Sequence, residues 1–339
     1  MIRWQSLRLI KGKDYLMIAD VERKIGERTL SLKEVDDLLL ETSWLEEPEL
    51  IRKLLAYKTA TPDSMLLQEK TAEEIKAEWK TEKLPDGTLR LLSYKGKDTI
   101  VNVPEKIGKA MVSELGDYVF SVTQHRIKKE IKESRAKIKE IRMNDNIMAI
   151  GEKAFMACEN LEKVRFSDSL TVIPDYAFAE CKKLNTVELP KGIIVIGCRA
   201  FYGCESLEQI FIPEGVKNFS ILKKDAYDWE SNYIGTFMNC VNLKKVILPE
   251  SIKEIPGQTF YGCINLSDIN IPSHLEKIGK EAFCGCKRLK SLTIPQTVIS
   301  ISETGEGAFK NCKKLTLHVP SESYAEQYAV NERIKYTVE

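Results

Sequence analysis

A phenylalanine followed three residues later by a cysteine recurs along this chain at a nearly fixed interval. The clearest copy, residues 177–190, reads A-F-A-E-C-K-K-L-N-T-V-E-L-P. Four of the six steps between successive phenylalanines are 23 residues, and the other two are 36 and 26. The phenylalanines are Phe155, Phe178, Phe201, Phe237, Phe260, Phe283 and Phe309, with a weaker copy ending at Phe120. A period of this length predicts a solenoid, in which each turn packs only on its neighbours.

Each repeat divides into three parts. A short strand such as residues 291–294 ends at a proline, which has no N–H to continue the ladder. A second apolar segment follows, as in residues 275–279. The Ala-Phe-x-x-Cys turn then closes the loop. The glycine that often precedes this turn permits either a positive φ or a close backbone approach.

These residues resemble the BspA-type leucine-rich repeat of bacterial proteins, over about residues 86–320. The resemblance implies an α/β repeat solenoid, a strand-rich right-handed superhelix. The chain departs from the repeat pattern at Asn144 and Ser167, which replace the proline, and at Arg135, which stands at a cysteine position. Members of the family are often surface proteins that bind host matrix components or other cells. The resemblance therefore implies cell-surface adhesion as an alternative to a general interaction or scaffold role.

The sequence predicts three segments. Residues 1–84 carry no repeat and contain two helix-capping boxes, at 31–34 and 71–74, which predict a small, mainly helical domain. The second box opens a helix carrying Ile75 and Trp79. Residues 85–320 form the solenoid, beginning with a cap whose strands are predicted at 88–92 and 99–103. Residues 321–339 form a C-terminal cap, with a helix at 324–334 and an edge strand at 335–338.

Seven of the nine cysteines occupy the repeat position. A once-per-repeat cysteine is interpreted as a small buried apolar residue that stacks on its counterpart in the next turn. Disulfide bonds between these cysteines are the less favoured alternative, and we expect the protein to reside in a reducing compartment. The chain has no C-x-x-C pair and only three histidines, so no metal site is predicted. The repeat cysteines are Cys158, Cys181, Cys204, Cys240, Cys263, Cys286 and Cys312.

Composition narrows the function classes. With 51 basic and 50 acidic residues, the net charge of +1 gives no electrostatic case for nucleic acid or an anionic membrane. No apolar run is long enough for a signal-peptide core or a membrane span, so a cytoplasmic location is expected, or a surface or secreted one if residues are missing before Met1. Nucleophile elbows, P-loops and dinucleotide fingerprints are absent. We therefore expect a non-catalytic, cofactor-free protein, monomeric, with an unknown protein partner.

The candidate binding surface is the row of residues that alternation points outward from the first strand of each repeat. Eight such strands side by side would form a concave sheet about 35 to 40 Å long, of the kind that solenoids use to bind partners. This outward row reads Arg142, Arg165, Glu188, Phe211, Ile247, Asn270, Thr293 and His318.

Two insertions interrupt the period. Residues 216–232 bring Phe219, Tyr227 and Trp229, with Tyr233 nearby, into the interval between Phe211 and Ile247. An exposed apolar pair beside aromatic side chains predicts an interaction hot spot; the alternative is that the insertion covers and buries the pair. The candidate partner-binding residues are Arg165, Glu188, Phe211, Ile247, Asn270, Tyr227, Trp229 and Tyr233.

The other insertion, residues 125–137, is basic. It is predicted to be a solvated helix, held by Ile127, Ile131 and Ile138 on one face and by ion pairs such as Lys129–Glu133 and Arg126–Glu130. The alternative is a site for nucleic acid or another acidic partner, with binding that weakens steeply as salt is raised.

Overall fold

A computed structural model describes residues 70–217, 219, 235–302 and 307–339. The predicted N-terminal helical domain therefore lies outside the described residues, apart from its last segment, 70–84. From Ala72 to the C terminus the chain forms one compact unit. This unit is a strand-rich solenoid of about ten turns with few helices.

The described elements are short and follow one another in a regular order. They are α1 (Ala72–Glu78), β1 (Trp79–Lys83), β2 (Leu89–Tyr94), β3 (Ile100–Asn102), β4 (Lys106–Ile107), β5 (Ala110–Leu115), α2 (Lys129–Arg135), β6 (Glu140–Arg142), β7 (Ala149–Ile150), β8 (Lys163–Arg165), β9 (Val172–Ile173), β10 (Thr186–Val187), β11 (Val195–Ile196), β12 (Gln209–Phe211), β13 (Lys245–Ile247), β14 (Glu254–Ile255), β15 (Asp268–Ile269), β16 (Lys277–Ile278), β17 (Ser291–Thr293), β18 (Ser300–Ile301), β19 (Thr316–Val319), α3 (Tyr324–Asn331) and β20 (Lys335–Val338).

Parallel pairing joins the equivalent strands of most successive turns, and we call each of the two resulting rows of strands a ladder. The first ladder contains β3, β6, β8, β10, β12, β13, β15, β17, β19 and β20, and the second contains β5, β7, β9, β11, β14, β16 and β18. The second apolar segment of most repeats is thus itself a two-residue strand. Within first-ladder strands the flanking residues face outward and the central one, such as Ile141 or Ile210, is fully buried. The predicted alternation is confirmed.

The first ladder is not the continuous sheet that the sequence predicted. It is divided into three sheets, β3–β6–β8–β10, β12–β13–β15 and β17–β19–β20. The pairing of β13 with β15 is shorter than that of β12 with β13. After β12, Ile212 donates its N–H to the main-chain carbonyl of Ile247 in the next turn (2.9 Å). After β13, Leu248 instead donates to the side-chain Oδ1 of Asn270 (2.7 Å), and main-chain pairing of β13 with β15 covers two residues rather than three.

The third side of each turn is held by stacked rings. Eight phenylalanines form one column, with adjacent centroids 4.7 to 5.7 Å apart and planes within 26° of parallel. The column runs from Phe120 to Phe309 and is buried throughout. The weak copy ending at Phe120 is therefore a true first member of the repeat.

Each repeat cysteine is buried, as predicted, and its thiol also has a specific partner. The Sγ donates to the main-chain carbonyl of the phenylalanine one turn earlier, for example Cys181 to Phe155 (3.1 Å) and Cys240 to Phe201 (3.1 Å). All seven repeat cysteines make this contact, at 3.0 to 3.4 Å. The cysteine is therefore a donor that satisfies a buried carbonyl as well as a small apolar residue.

The glycine before the Ala-Phe turn serves close approach rather than a positive φ. A Cβ at Gly197 would lie 2.5 Å from the main-chain nitrogen of Asp175, and one at Gly279 would lie 2.5 Å from that of Gly257. Positive φ is instead adopted by other residues of the turn, such as Tyr176 (55°) and Glu180 (60°).

Aromatic residues close both ends of the phenylalanine column. At the N-terminal end, Trp79 and Tyr94 pack on Phe120 with centroids 5.6 and 5.5 Å away. The predicted helix carrying Trp79 is corrected here: α1 ends at Glu78, and Trp79 begins β1, which pairs antiparallel with β2. At the C-terminal end, Tyr328 of α3 meets Phe309 edge-on at 6.1 Å.

The C-terminal segment contains a helix and a strand where the sequence predicts them. Helix α3 spans the first eight residues of the predicted 324–334 helix, and Ser323 caps it by accepting from the N–H of Glu326 (3.1 Å). Strand β20 has the predicted limits, Lys335–Val338, and pairs parallel with β19.

Candidate interaction surface

The outward face of the β12–β13–β15 sheet carries an exposed apolar pair. Phe211 and Ile247 are register partners on β12 and β13, so their side chains lie side by side. Phe211 is 52% exposed and Ile247 is half-buried. The residues before them, Ile210 and Val246, are fully buried. Because side chains alternate along a strand, Phe211 and Ile247 therefore lie on the opposite, outward face of the sheet. The outward position that the sequence predicts for both residues is confirmed.

Polar side chains border this apolar pair. Gln209, Lys245 and Asp268 form the neighbouring outward row on the same three strands. Lys245 Nζ lies 3.0 Å from a carboxylate oxygen of Asp268, and both side chains are largely exposed. An apolar centre with a polar border is the usual arrangement of a protein–protein interface. We call residues 209, 211, 245, 247 and 268 the central patch.

The remaining candidates on the outward row are not equivalent. Arg165 and Glu188 are exposed but belong to the β3–β6–β8–β10 sheet, separated from Phe211 by the first break. Asn270 follows β15 and is half-buried. Its amide both accepts from the N–H of Leu248 and donates to the carbonyl of Leu248 (2.7 and 2.8 Å). Its hydrogen-bonding groups are therefore engaged within the chain.

The aromatic insertion is only partly described. Phe219 is buried and packs edge-on against Phe237 at 6.2 Å, so it belongs to the core. Tyr227, Trp229 and Tyr233 lie outside the described residues. The first ladder continues across the insertion, since β12 pairs with β13 in register.

The basic insertion contains α2, as predicted, with its Lys129–Glu133 ion pair at 3.8 Å. The predicted Arg126–Glu130 pair is absent from the described structure. Only Ile138 of the three isoleucines is fully buried, while Ile127 and Ile131 are half-buried.

Arg135 is the feature of this insertion that sequence reasoning missed. It is fully buried, and burial lowers the pKa of its guanidinium to about 10. No carboxylate within the described ranges forms an ion pair with it. Its Nε donates to the carbonyl of Tyr94, the ring that precedes Phe120, just as each repeat cysteine donates to the preceding phenylalanine carbonyl. Its other acceptors are Ser93 Oγ, Tyr118 O, Ser121 O and Gln124 Oε1.

The repeat thiols and the His318 ring are buried or hydrogen-bonded within the described part of the chain. Burial raises the pKa of the Cys158 and Cys240 thiols to about 12, which disfavours the reactive thiolate. His318 is hydrogen-bonded through both ring nitrogens, to Thr337 Oγ1 (2.7 Å) and Ser291 Oγ (2.8 Å). Within residues 70–217, 219, 235–302 and 307–339, no group of three or more His, Cys, Asp or Glu side chains could hold a metal ion. None of the helices described there is long and apolar enough to cross a membrane.

Comparison with known proteins agrees with this architecture. The family model described as "BspA type Leucine rich repeat region (6 copies)" matches residues 111–234 and 229–332. A leucine-rich repeat protein of T. pallidum is similar in structure, with 26% identity and a TM-score of 0.54 over 66% of this chain and 91% of that one. One from Bacteroides ovatus shows 24% identity and a TM-score of 0.48, over 71% and 70%. A search of curated proteins found no match.

Proposed function

Because the chain belongs to the family of BspA-type leucine-rich repeat proteins, we propose that it is a non-catalytic interaction module that binds a protein through the central patch. The family itself implies a protein-interaction module. The finer assignment, to one surface of the first ladder, is supported by the exposure of Phe211 next to Ile247.

Phe211 is the one exposed phenylalanine among the described residues. Every member of the phenylalanine column is buried, whereas Phe211 leaves half of its surface in water. Covering a phenylalanine side chain is worth about 1.5 to 3 kcal/mol, and aromatic residues dominate the energetics of protein interfaces. Phe211 is held on a paired strand, so little backbone entropy would be lost when a partner covers it. A partner with an apolar contact surface fits this patch.

In the proposed mechanism the protein presents side chains to a partner and carries out no chemical reaction. The repeat cysteines direct their thiols at carbonyls, and the bordering carboxylate of Asp268 is engaged by Lys245. The central patch holds side chains at the fixed spacing of neighbouring strands, about 4.8 Å, without a nucleophile or a paired base.

Affinity capture from native lysate tests this proposal with three chains. They are the wild type, Phe211→Glu, and Ile299→Glu as a matched control, since Ile299 is also apolar and 63% exposed but lies beside the second ladder. We expect a protein that is retained by the wild type and by Ile299→Glu and is lost with Phe211→Glu. Equal retention by all three, with unchanged circular dichroism, would remove the central patch from the proposal.

Cell-surface adhesion remains the alternative that membership in the family suggests. Our proposal is a cytoplasmic scaffold. Fractionation of cells that express the native gene separates the two, because an adhesin is recovered at the surface and is accessible to added protease, whereas a cytoplasmic scaffold is recovered in the cytosol and is protected.

A further inference from the structure

A groove of about 1040 Å³ lies at the N-terminal end of the solenoid, far along the chain from the central patch. Its floor is the outward face of β1, β2, β5 and β7, where Leu92, Glu114 and Ala149 contribute side chains. Its wall is the basic insertion, from Gln124 to Ile131. The insertion therefore does not merely pack on the solenoid but encloses a concave surface.

Cations without ion-pair partners line this groove. Lys80, Arg126 and Lys128 are exposed and form no ion pair with any residue in the described part of the chain. A fourth cation, Arg90, is neutralised by Glu82 (3.1 Å) and Glu114 (2.6 Å).

The two carboxylates of the groove are already engaged. Glu114 accepts from Arg90, and Asp117 Oδ1 accepts from the main-chain N–H of Glu152 (2.8 Å). Neither carboxylate contacts the three free cations. The groove therefore keeps an excess of positive charge.

A buried charge stands directly behind the wall. Arg135 donates to Ser93 Oγ (2.5 Å) and to Gln124 Oε1 (3.3 Å), and both of these side chains line the groove. Because Arg135 has no carboxylate partner among the described residues, its field is not cancelled at short range. The same residue fixes the wall to β2.

The groove also has an apolar component. Leu92, Ile127 and Ile131 line it and are half-buried. Among the described residues no phenylalanine, tyrosine or tryptophan lines it, so only the planar groups of His125 and Arg126 are left for stacking on bases. A ligand that matches both features carries carboxylates beside aliphatic side chains.

We infer that this groove is a second binding site, for an acidic amphipathic segment of a partner protein. Lys80, Arg126 and Lys128 would pair with the carboxylates of that segment, and Leu92, Ile127 and Ile131 would receive its aliphatic side chains. The site uses no residue of the central patch, so it goes beyond the proposed function and can fail or succeed independently of it.

Fluorescence anisotropy tests the inference with three labelled probes at 50 mM salt: an eight-residue peptide alternating Glu and Leu, its Lys–Leu counterpart, and an eight-nucleotide oligouridine. We expect the Glu–Leu peptide to bind most tightly. The double variant Arg126→Glu/Lys128→Glu should weaken binding by about tenfold or more, because two attractions become repulsions. Raising salt to 300 mM should weaken it as well.

Controls separate this site from general charge and from the central patch. Lys287→Glu/Lys290→Glu changes the net charge equally at two exposed lysines outside the groove and should leave affinity unchanged, as should Phe211→Glu. Absence of Glu–Leu binding to the wild type, tighter binding of oligouridine, or equal losses in the two double variants would each overturn the inference.

Discussion

The ring column makes a quantitative prediction about stability. Phe178 is fully buried and lies between Phe155 (4.7 Å, planes 3° apart) and Phe201 (5.4 Å, 7°). Phe178→Leu keeps an apolar side chain but removes three ring pairs, because Phe166 also meets Phe178 edge-on (5.6 Å, 77°). Each pair contributes about 0.5 to 1.5 kcal/mol beyond burial, so the unfolding free energy should fall by about 1.5 to 4.5 kcal/mol.

Urea denaturation followed by far-UV circular dichroism measures this loss, with an unchanged m-value as the condition for comparing midpoints. Phe211→Leu is the internal control. Because Phe211 is exposed on the sheet face, its replacement should change stability by less than about 0.5 kcal/mol.

A double-mutant cycle distinguishes ring contact from simple space filling. Phe155→Leu and Phe178→Leu should show a coupling of about 0.5 to 1.5 kcal/mol, since these rings touch. Phe155→Leu and Phe237→Leu should be additive within about 0.5 kcal/mol, because two rings separate them and each turn contacts only its neighbours. Additivity in both cycles would refute the reasoning.

Three further outcomes are expected. The first is iodoacetamide labelling at pH 7.5, read by mass spectrometry. Half-buried Cys198 should react first, and the seven repeat cysteines should react only on unfolding because they are buried. Rapid labelling of Cys240 in the native chain would contradict this. Arg135→Met should lower the free energy of unfolding, measured by heat or urea, by about 3 kcal/mol or more, because it leaves buried carbonyl acceptors unpaired. A stability equal to that of the wild type would show that those hydrogen bonds are dispensable. Asn270→Ala should destabilise by about 1 to 3 kcal/mol in urea, since it removes the amide that pairs with Leu248; a neutral effect would mean that main-chain pairing takes its place.

Much of the architecture could be predicted because the repeat places one residue type at one structural position. The phenylalanine spacing predicted the solenoid, and the alternation around Ile210 predicted which side of each strand is exposed. The limits of β20 were also predicted from the sequence. These features depend on local period and on contacts between neighbouring turns.

Features that depend on one particular side chain could not be predicted. Asn270 looked like an outward polar residue, and only three-dimensional contacts show its amide replacing a main-chain acceptor. Trp79 follows a helical pattern in sequence, yet its ring covers the open end of the column at Phe120. Arg135 was recognised as standing at a cysteine position, but its acceptors come from two other segments, residues 93–94 and 118–124.

The binding surface was only partly predictable. Phe211 and Ile247 were found because their row and register follow from the repeat, and the structure brings them together. The same reasoning joined Arg165 and Glu188 to them, since nothing in the period marks the sheet break after β10. The groove escaped prediction because it forms between the basic insertion and the cap sheet, which are separate in the sequence.

Site-specific photo-crosslinking tests most directly the claim that the central patch contacts a partner. A benzophenone amino acid is placed at position 211 and, as the matched control, at position 299, and each chain is irradiated in native lysate. We expect one predominant crosslinked protein from position 211, which is absent from position 299 and is outcompeted by unlabelled wild type but not by Phe211→Glu. A partner that crosslinks equally from both positions, or no competed product from position 211, would show that the central patch is not the contact surface.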